Sequence, residues 1–145
     1  MINRPTTAAD ISAVLAQAKE IFGAEGDLHS RMLQSLGLGC AMRTIEKDGD
    51  ILCVVSASYM WEGVVEISSV FTTNAHKHKV ALGRYLKRYL NECIKKLDAH
   101  RYQITVREDF NEAKSFASFL GFEQEAVLYK YGVDKTNYIM YRKVL

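Results

Sequence analysis

Apolar and polar positions follow two different rhythms along the chain. From Val80 onward, apolar residues recur at Val80, Leu82, Tyr85, Leu86, Tyr89, Leu90, Cys93, Ile94 and Leu97. Steps of three and four keep one helical stripe apolar for about five turns. The opposite face carries Arg84, Lys87, Arg88, Asn91, Glu92, Lys95 and Lys96. Just upstream, residues 64–73 are dense in β-branched side chains and predict a strand. Between the two lies a basic turn, Asn74-Ala75-His76-Lys77-His78-Lys79. A strand that runs through a basic turn into a helix N-terminus suits an anion. The first helical N–H groups lack partners there, and the helix dipole adds partial positive charge. The plainer alternative is a buried strand and a packed helix with a solvated basic face, since most such turns bind nothing.

The remaining pattern divides into regular elements. Ile2-Asn3-Arg4 predicts a short strand stopped by Pro5, the only proline. Thr6 or Thr7 then caps a helix, with Thr7 and Asp10 in a capping-box pattern and Ile11, Val14, Leu15, Ala18, Ile21 and Phe22 as its buried stripe. Gly23 and Gly26 end it. A second helix is expected over 27–36, with Leu28, Met32 and Leu36 on one side, and Gly37 and Gly39 close that region. From Cys40 the period becomes that of strands. Residues 41–47 and 51–60 pair across an Asp48-Gly49 hairpin turn, and Trp61-Glu62-Gly63 turns into the strand at Val64. Residues 102–106 predict a short central strand. Asp109 and Glu112 form a second capping-box pattern for a helix through Phe119, ended by Gly121. Two aromatic-rich strands, 125–131 and 137–144, are joined by residues 132–136. The order is β-α-α-β-β-β-α-β-α-β-β, an α/β chain of the α+β type.

Composition narrows the classes. A chain of 145 residues predicts one domain over 1–145 that buries roughly 68% of its unfolded surface. A net charge of +2 and the lack of a long Lys/Arg run argue against a nucleic-acid partner. No apolar run approaches the roughly 20 residues that span a membrane, and residues 1–4 lack the apolar core of a signal peptide. Cys40, Cys53 and Cys93 contain no C-x-x-C pair, which predicts buried free thiols in a reducing cytoplasm, with neither a disulfide framework nor zinc. His29, His76, His78 and His100 are scattered apart from the pair on the basic turn, and no metal is expected.

Two motifs carry a family resemblance. The turn His78-Lys79-Val80-Ala81-Leu82-Gly83 matches Gln/Arg-x-x-Gly-x-Gly/Ala with its final glycine intact and Ala81 in place of the earlier one. The stretch Asn111 to Phe122 matches Asn-x-x-Ala-x-x-x-Tyr-x-x-x-Gly-Phe at Ala113, Gly121 and Phe122. Gly121-Phe122 also reads as a helix-ending glycine followed by a packing aromatic. With this element order, the chain resembles the GCN5-related N-acetyltransferases over nearly its full length. The resemblance implies a single domain with a mixed, mostly antiparallel sheet of about seven strands, flanked by about four helices. It also implies acetyl-CoA as cosubstrate. Backbone groups of Val70, Phe71 and Thr72 would pair with pantetheine. The turn residues His78, Lys79, Val80, Ala81, Leu82 and Gly83 would cradle the pyrophosphate through the amides of Val80 to Gly83. Lys79, Arg84 and Lys77 would supply charge to the phosphates. The Cβ of Ala81 crowds that approach unless the backbone stays helical.

The chemistry departs from the family pattern. Attack by an amine on a thioester requires the neutral amine, whereas amines with pKa near 10 are mostly protonated at pH 7. Family members often place a glutamate on the strand before the turn as base, and Glu66 occupies a matching place. A carboxylate in an otherwise apolar strand is costly to bury without a task or a partner; an exposed or ion-paired Glu66 is the alternative. The family's proton-donating tyrosine falls on Ala117, which has no proton to give. Tyr129, Tyr131, Tyr138 and Tyr141 are the substitutes in the last strands, each otherwise an ordinary packing aromatic. Loss of a general acid costs on the order of a hundredfold to ten-thousandfold. Two function classes follow. One is an N-acetyltransferase acting on a primary amine of a small molecule or protein. The other is a non-enzymatic binding or structural subunit, similar in its eroded turn to internal virion proteins of short-tailed phages, which would place it in a virion. A nucleic-acid binder using residues 76–88 is a third, disfavoured by the near-balanced charge. Asp27, His29 and Arg31 are candidates to line the acceptor pocket, and a homodimer or a larger assembly is left open.

Overall fold

A computed structural model describes residues 1–22 and 41–145. The elements are β1 (Ile2–Pro5), α1 (Ala8–Phe22), β2 (Ala41–Lys47), β3 (Asp50–Trp61), β4 (Gly63–Phe71), α2 (Thr73–Lys77), α3 (Lys79–Lys96), β5 (Ala99–Arg107), α4 (Asn111–Phe119), β6 (Glu123–Leu128) and β7 (Tyr138–Val144). The sheet has seven strands in the order β1-β2-β3-β4-β5-β7-β6. β4 and β5 pair in parallel, whereas β1–β2, β2–β3, β5–β7 and β6–β7 pair antiparallel. This is the expected α+β architecture. The helix expected over 27–36 lies outside the described residues, as do Asp27, His29, Arg31 and Cys40. By contact pattern the chain forms two compact units, Met1–Ser58 with Ser68–Leu82, and Tyr59–Ile67 with Gly83–Leu145.

In the first unit, Ile11, Val14 and Leu15 of α1 cluster with Met42 and Val54, and partly buried Ile51 and Val70 pack against them. The expected capping box forms. Thr7 N–H donates to Asp10 Oδ2 at 2.8 Å and Asp10 N–H donates to Thr7 Oγ1 at 3.2 Å. Asp10 does more than cap. Only 5% exposed, it also accepts two bonds from the Arg4 guanidinium at 2.7 and 2.9 Å and one from Thr44 Oγ1 at 3.0 Å. These donors tie β1 and β2 to the start of α1, so a buried charge fixes where the helix begins. The hairpin turn falls at Asp48-Gly49, with φ of 54° and 84°, the left-handed pair of a type I′ turn.

The basic segment after β4 differs from the expected turn, because part of it is helical. α2 has five residues, too few to persist on local propensity. It is held from outside: Gln17 Oε1 accepts bonds from Thr73 N–H at 2.7 Å and Thr73 Oγ1 at 3.1 Å. Val80 is also misread by periodicity. It is 67% exposed, because it sits in the first turn of α3 ahead of the buried Leu82.

In the second unit, β5 is longer than the predicted 102–106. Pairing on both edges extends it: β4 contributes Gly63 to Glu66 opposite Ala99 to Gln103, and β7 covers Arg101 to Arg107. α4 packs on β5 and ends in a Schellman motif. Phe122 N–H reaches Ala117 O at 3.1 Å and Gly121 N–H reaches Ser118 O at 3.0 Å. Gly121 has φ of 94°, and Phe122 behind it is buried, as the glycine-aromatic pair predicts. The second capping box does not form. Phe110 is the N-cap, with no side-chain bond, because the Asp109 carboxylate is taken by Arg107. β6 stops at Leu128, before the expected end at 131, since Lys130 turns left-handed at φ 54°.

Arg4 holds the Asp10 carboxyl well below the usual carboxylate range, and its other donors outweigh the opposing effect of burial. A depressed folded-state value stabilises the fold above the unfolded value of about 3.9, and that contribution fades as pH falls further. Asp10→Asn is expected to lose about 1–2 kcal/mol of stability at pH 7, because charge-assisted bonds from Arg4 and Thr7 are weakened while Arg4, one-third exposed, keeps Glu46 at 3.1 Å. Denaturant titration at pH 7 and again below pH 4 checks both points: the gap between wild type and variant should narrow in acid.

Candidate functional site

The segment from Val70 to Leu82 lies within the first unit. Val70 packs on the α1 cluster. Thr72 is buried; its N–H donates to Leu52 O at 2.9 Å and its Oγ1 to Ile51 O at 2.6 Å, anchoring the end of β4 to β3. Phe71, between them, is half-buried. His78 follows α2 as its C-cap, and His78 O accepts the first bond of α3, from Leu82 N–H at 2.8 Å. This corrects the expected donor set. Leu82 N–H is spent inside the helix, and so by helical geometry is that of Gly83; the first-turn N–H groups are those of Lys79, Val80 and Ala81. All three residues are exposed. Ala81 is helical, so its amide faces the N-terminal end of α3 whatever side chain it carries, and its Cβ leans toward the same end.

Within the second unit, Gly83 is buried, and a Cβ there would meet the rings of Phe119 and Phe116 at 3.5 and 3.7 Å. Beside it, Arg84, Lys87, Arg88, Asn91 and Phe119 line an open groove of about 460 Å³. The Lys87 ammonium sits 4.8 Å from the centre of the Phe119 ring. Among the described residues its lining holds three cations and no carboxylate. That donor set fits a phosphate-bearing ligand. Of these, the sequence reading gave a phosphate role to Arg84 alone, although the spacing 84, 87, 88, 91 placed all four on one helix face.

Glu66 sits at the last parallel pair of β4 with β5, opposite Gln103, and is half-buried. Gln103 is 8% exposed. Its amide oxygen accepts from Arg101 Nε at 3.0 Å, and the Arg101 guanidinium is paired with both oxygens of Glu125. Glu66 therefore shares a sheet face with a fixed polar ladder, which no spacing in the sequence announced. Ala117 is buried in α4 and brings no hydroxyl. Among the tyrosines considered as substitutes, Tyr141 is buried, and burial raises its pKa. Tyr131 stacks edge-on against Tyr138 at 5.3 Å, and Tyr129 stands in solvent. Among the described residues no group of three or more His, Cys, Asp or Glu could hold a metal ion, and no helix is long and apolar enough to cross a membrane.

No protein-family model and no curated protein matches the sequence. Solved structures do. A ribosomal-protein-alanine N-acetyltransferase from Brucella melitensis superposes with a TM-score of 0.74 at 19% identity, covering 100% of both chains. A spermidine N-acetyltransferase from Vibrio cholerae gives 0.75 at 11% identity, over 99% of this chain and 95% of its own. A Salmonella typhimurium protein solved with its cofactor acetyl-CoA gives 0.72 at 18% identity, over 99% and 93%. The chain has the fold of the GCN5-related N-acetyltransferases.

Gly83 has helical backbone and ordinary contact distance to the α4 rings, so a methyl group fits there. Gly83→Ala should raise stability by up to about 1 kcal/mol, as for a helix-interior glycine. Denaturant unfolding checks it; a loss instead would mean that α4 cannot yield to the added carbon.

Proposed function

We propose that residues 1–145 act as one acetyltransferase domain that transfers an acetyl group directly from acetyl-CoA to a primary amine of a small molecule or a protein. The observation that carries this reading is the start of α3. Its first-turn N–H groups, with exposed Lys79 among them, stand in a fold shared over nearly full length with N-acetyltransferases. Acetyl-CoA would supply the activated acetyl thioester. The amides of Lys79, Val80 and Ala81, with Lys79 and Arg84, would hold its phosphates, and the Val70–Thr72 backbone would run beside pantetheine. Glu66 would take the proton from the acceptor ammonium, freeing the lone pair that bonds to the acetyl carbon. As the C–S bond breaks, the new amide nitrogen would give up its second proton to solvent, and with alanine at 117 the departing thiolate would take one up from solvent.

A second reading, a binding or structural subunit without turnover, is favoured by Ala81 and Ala117. Calorimetry with acetyl-CoA separates the first layer of the proposal: micromolar to low-millimolar binding is expected, and Lys79→Glu with Arg84→Glu should weaken it on the order of tenfold or more. Absence of heat and of thermal shift at millimolar ligand would overturn it. Chemistry is tested at Glu66. Glu66→Gln keeps size but cannot accept a proton, so kcat should fall on the order of a hundredfold while cofactor affinity holds. Unchanged turnover in the variant would remove Glu66 from the mechanism.

A further inference from the structure

Strand order carries one side chain further than its place in the sequence suggests. β3, β4 and β5 lie side by side, each about 4.8 Å from the next. Met60 on β3 and Gln103 on β5 are therefore separated by the whole width of β4. Yet Gln103 Nε2 donates to Met60 Sδ at 3.1 Å. The Gln103 amide must lie across β4. Register fixes the face on which it does so, because Gln103 is the partner of Glu66 and residues opposite one another in a parallel pair point to the same side of the sheet. The amide crosses β4 on the Glu66 face, almost out of reach of water, since Gln103 is 8% exposed.

Hydrogen-bond chemistry decides which way that amide is turned. Arg101 Nε, 3.0 Å away, has only a hydrogen to offer, so the Gln103 oxygen faces Arg101 and the NH2 group faces β4. Arg101 is itself fixed: Nη1 donates to Glu125 Oε1 at 3.1 Å and Nη2 pairs with Oε2. The NH2 group has two hydrogens, and Met60 takes one through a thioether, a weak acceptor. The second is left for a better acceptor on β4, and Glu66 is the carboxylate of that strand. Among the described residues, the charged groups on this face are Arg101 of β5, Arg142 of β7, and Glu123 and Glu125 of β6. They pair among themselves, Arg142 reaching Glu123 at 3.2 Å and Glu125 at 3.9 Å. Two cations offset two carboxylates, and the Gln103 dipole is the influence on Glu66 that nothing cancels.

Resting on the acetyltransferase reading in which Glu66 is the base, we infer that Gln103 is a positioning residue: its amide donates the second hydrogen to the Glu66 carboxylate, holds that carboxylate in place and favours its ionised form. A base must be ionised before it meets the acceptor ammonium. Desolvation on a half-buried strand pushes a carboxyl toward the neutral acid, and a hydrogen bond to the charged form opposes that push. Gln103 touches no reacting atom and gives up no proton. Arg101 and Glu125 act one step further out, by denying the amide its reverse orientation. Reversed, the Gln103 oxygen would face the carboxylate, and two acceptors would repel.

The test titrates the full chain, labelled with carbon-13 at the glutamate carboxyls, by NMR; the Glu66 signal is the one missing from Glu66→Gln. Gln103→Met keeps the length of the side chain and removes the donor. The Glu66 titration should move up by about one pH unit, and the acid limb of the kcat profile should move with it. The loss of kcat is then largest in acid and shrinks as pH rises, while acetyl-CoA affinity holds. A merely structural loss would be equal at every pH and would leave the titration alone. Arg101→Leu with Glu125→Leu removes a neutral pair, leaves Gln103 free to turn, and should raise the titration as well. Met60→Leu withdraws the competing acceptor and should not raise it. An unmoved Glu66 titration in Gln103→Met, or in the paired variant should Gln103→Met not fold, overturns the inference; normal acetylation beside it leaves the acetyltransferase reading intact. A raised titration with no amine acetylated keeps the Gln103–Glu66 bond and sinks that reading.

Discussion

The second unit depends on β5 being held at both edges in one register. Its odd and even positions have incompatible tasks. Tyr102, fully buried, and Val106 serve the core, while Arg101, Gln103 and Arg107 face the polar side. A slip by one residue would exchange the faces, driving two arginines into the core and Tyr102 out of it. Burying an unpaired arginine costs several kcal/mol, so the register is enforced by charge as much as by apolar contact. Each functional assignment in this unit hangs from that register: Gln103 opposite Glu66 and Arg101 against Glu125.

Features whose chemistry is complete within a few residues were legible in the sequence. Thr7 and Asp10 cap α1 because each satisfies the other's amide. Asp48-Gly49 turns the hairpin, and Gly121-Phe122 closes α4. Failures share the opposite property. Asp109 and Glu112 have the spacing of a capping box, but a neighbour on the other side, Arg107, offers Asp109 two charge-assisted bonds, and those outweigh a cap. The helical part of the basic segment was invisible because Gln17, 56 residues away, supplies the bonds that hold its first turn. At the candidate site the turn and Arg84 could be read from spacing. The polar ladder behind Glu66 could not, since Gln103, Arg101 and Glu125 meet only through strand pairing.

Alanine at position 81 changes the set of free helix donors less than its place in the motif suggests. Where the turn must kink, glycine provides room for a ligand to approach the backbone. Here the backbone at Ala81 is already helical, and its amide points along the helix axis whatever side chain it carries. The donors are therefore set by where α3 begins, and His78 O, accepting from Leu82, sets that point. A substitution that moved the start of α3 by one residue would do more to the donor set than the methyl group of Ala81 does.

The same reasoning about magnitudes applies to Ala117. Freeing a lysine-like amine of pKa about 10.4 at pH 7 costs roughly 4–5 kcal/mol, whereas releasing a thiolate whose thiol has a pKa of about 8.5 leaves roughly 2 kcal/mol for a donor to recover. In the proposed reaction the base thus has the heavier task, which falls to Glu66, while alanine at 117 withholds the lighter one. An α-amino group, with pKa about 7.7–8.0, needs only about 1 kcal/mol to lose its proton. An acceptor of that kind reduces the demand on Glu66 as well, and it is the reactive group of a polypeptide N-terminus.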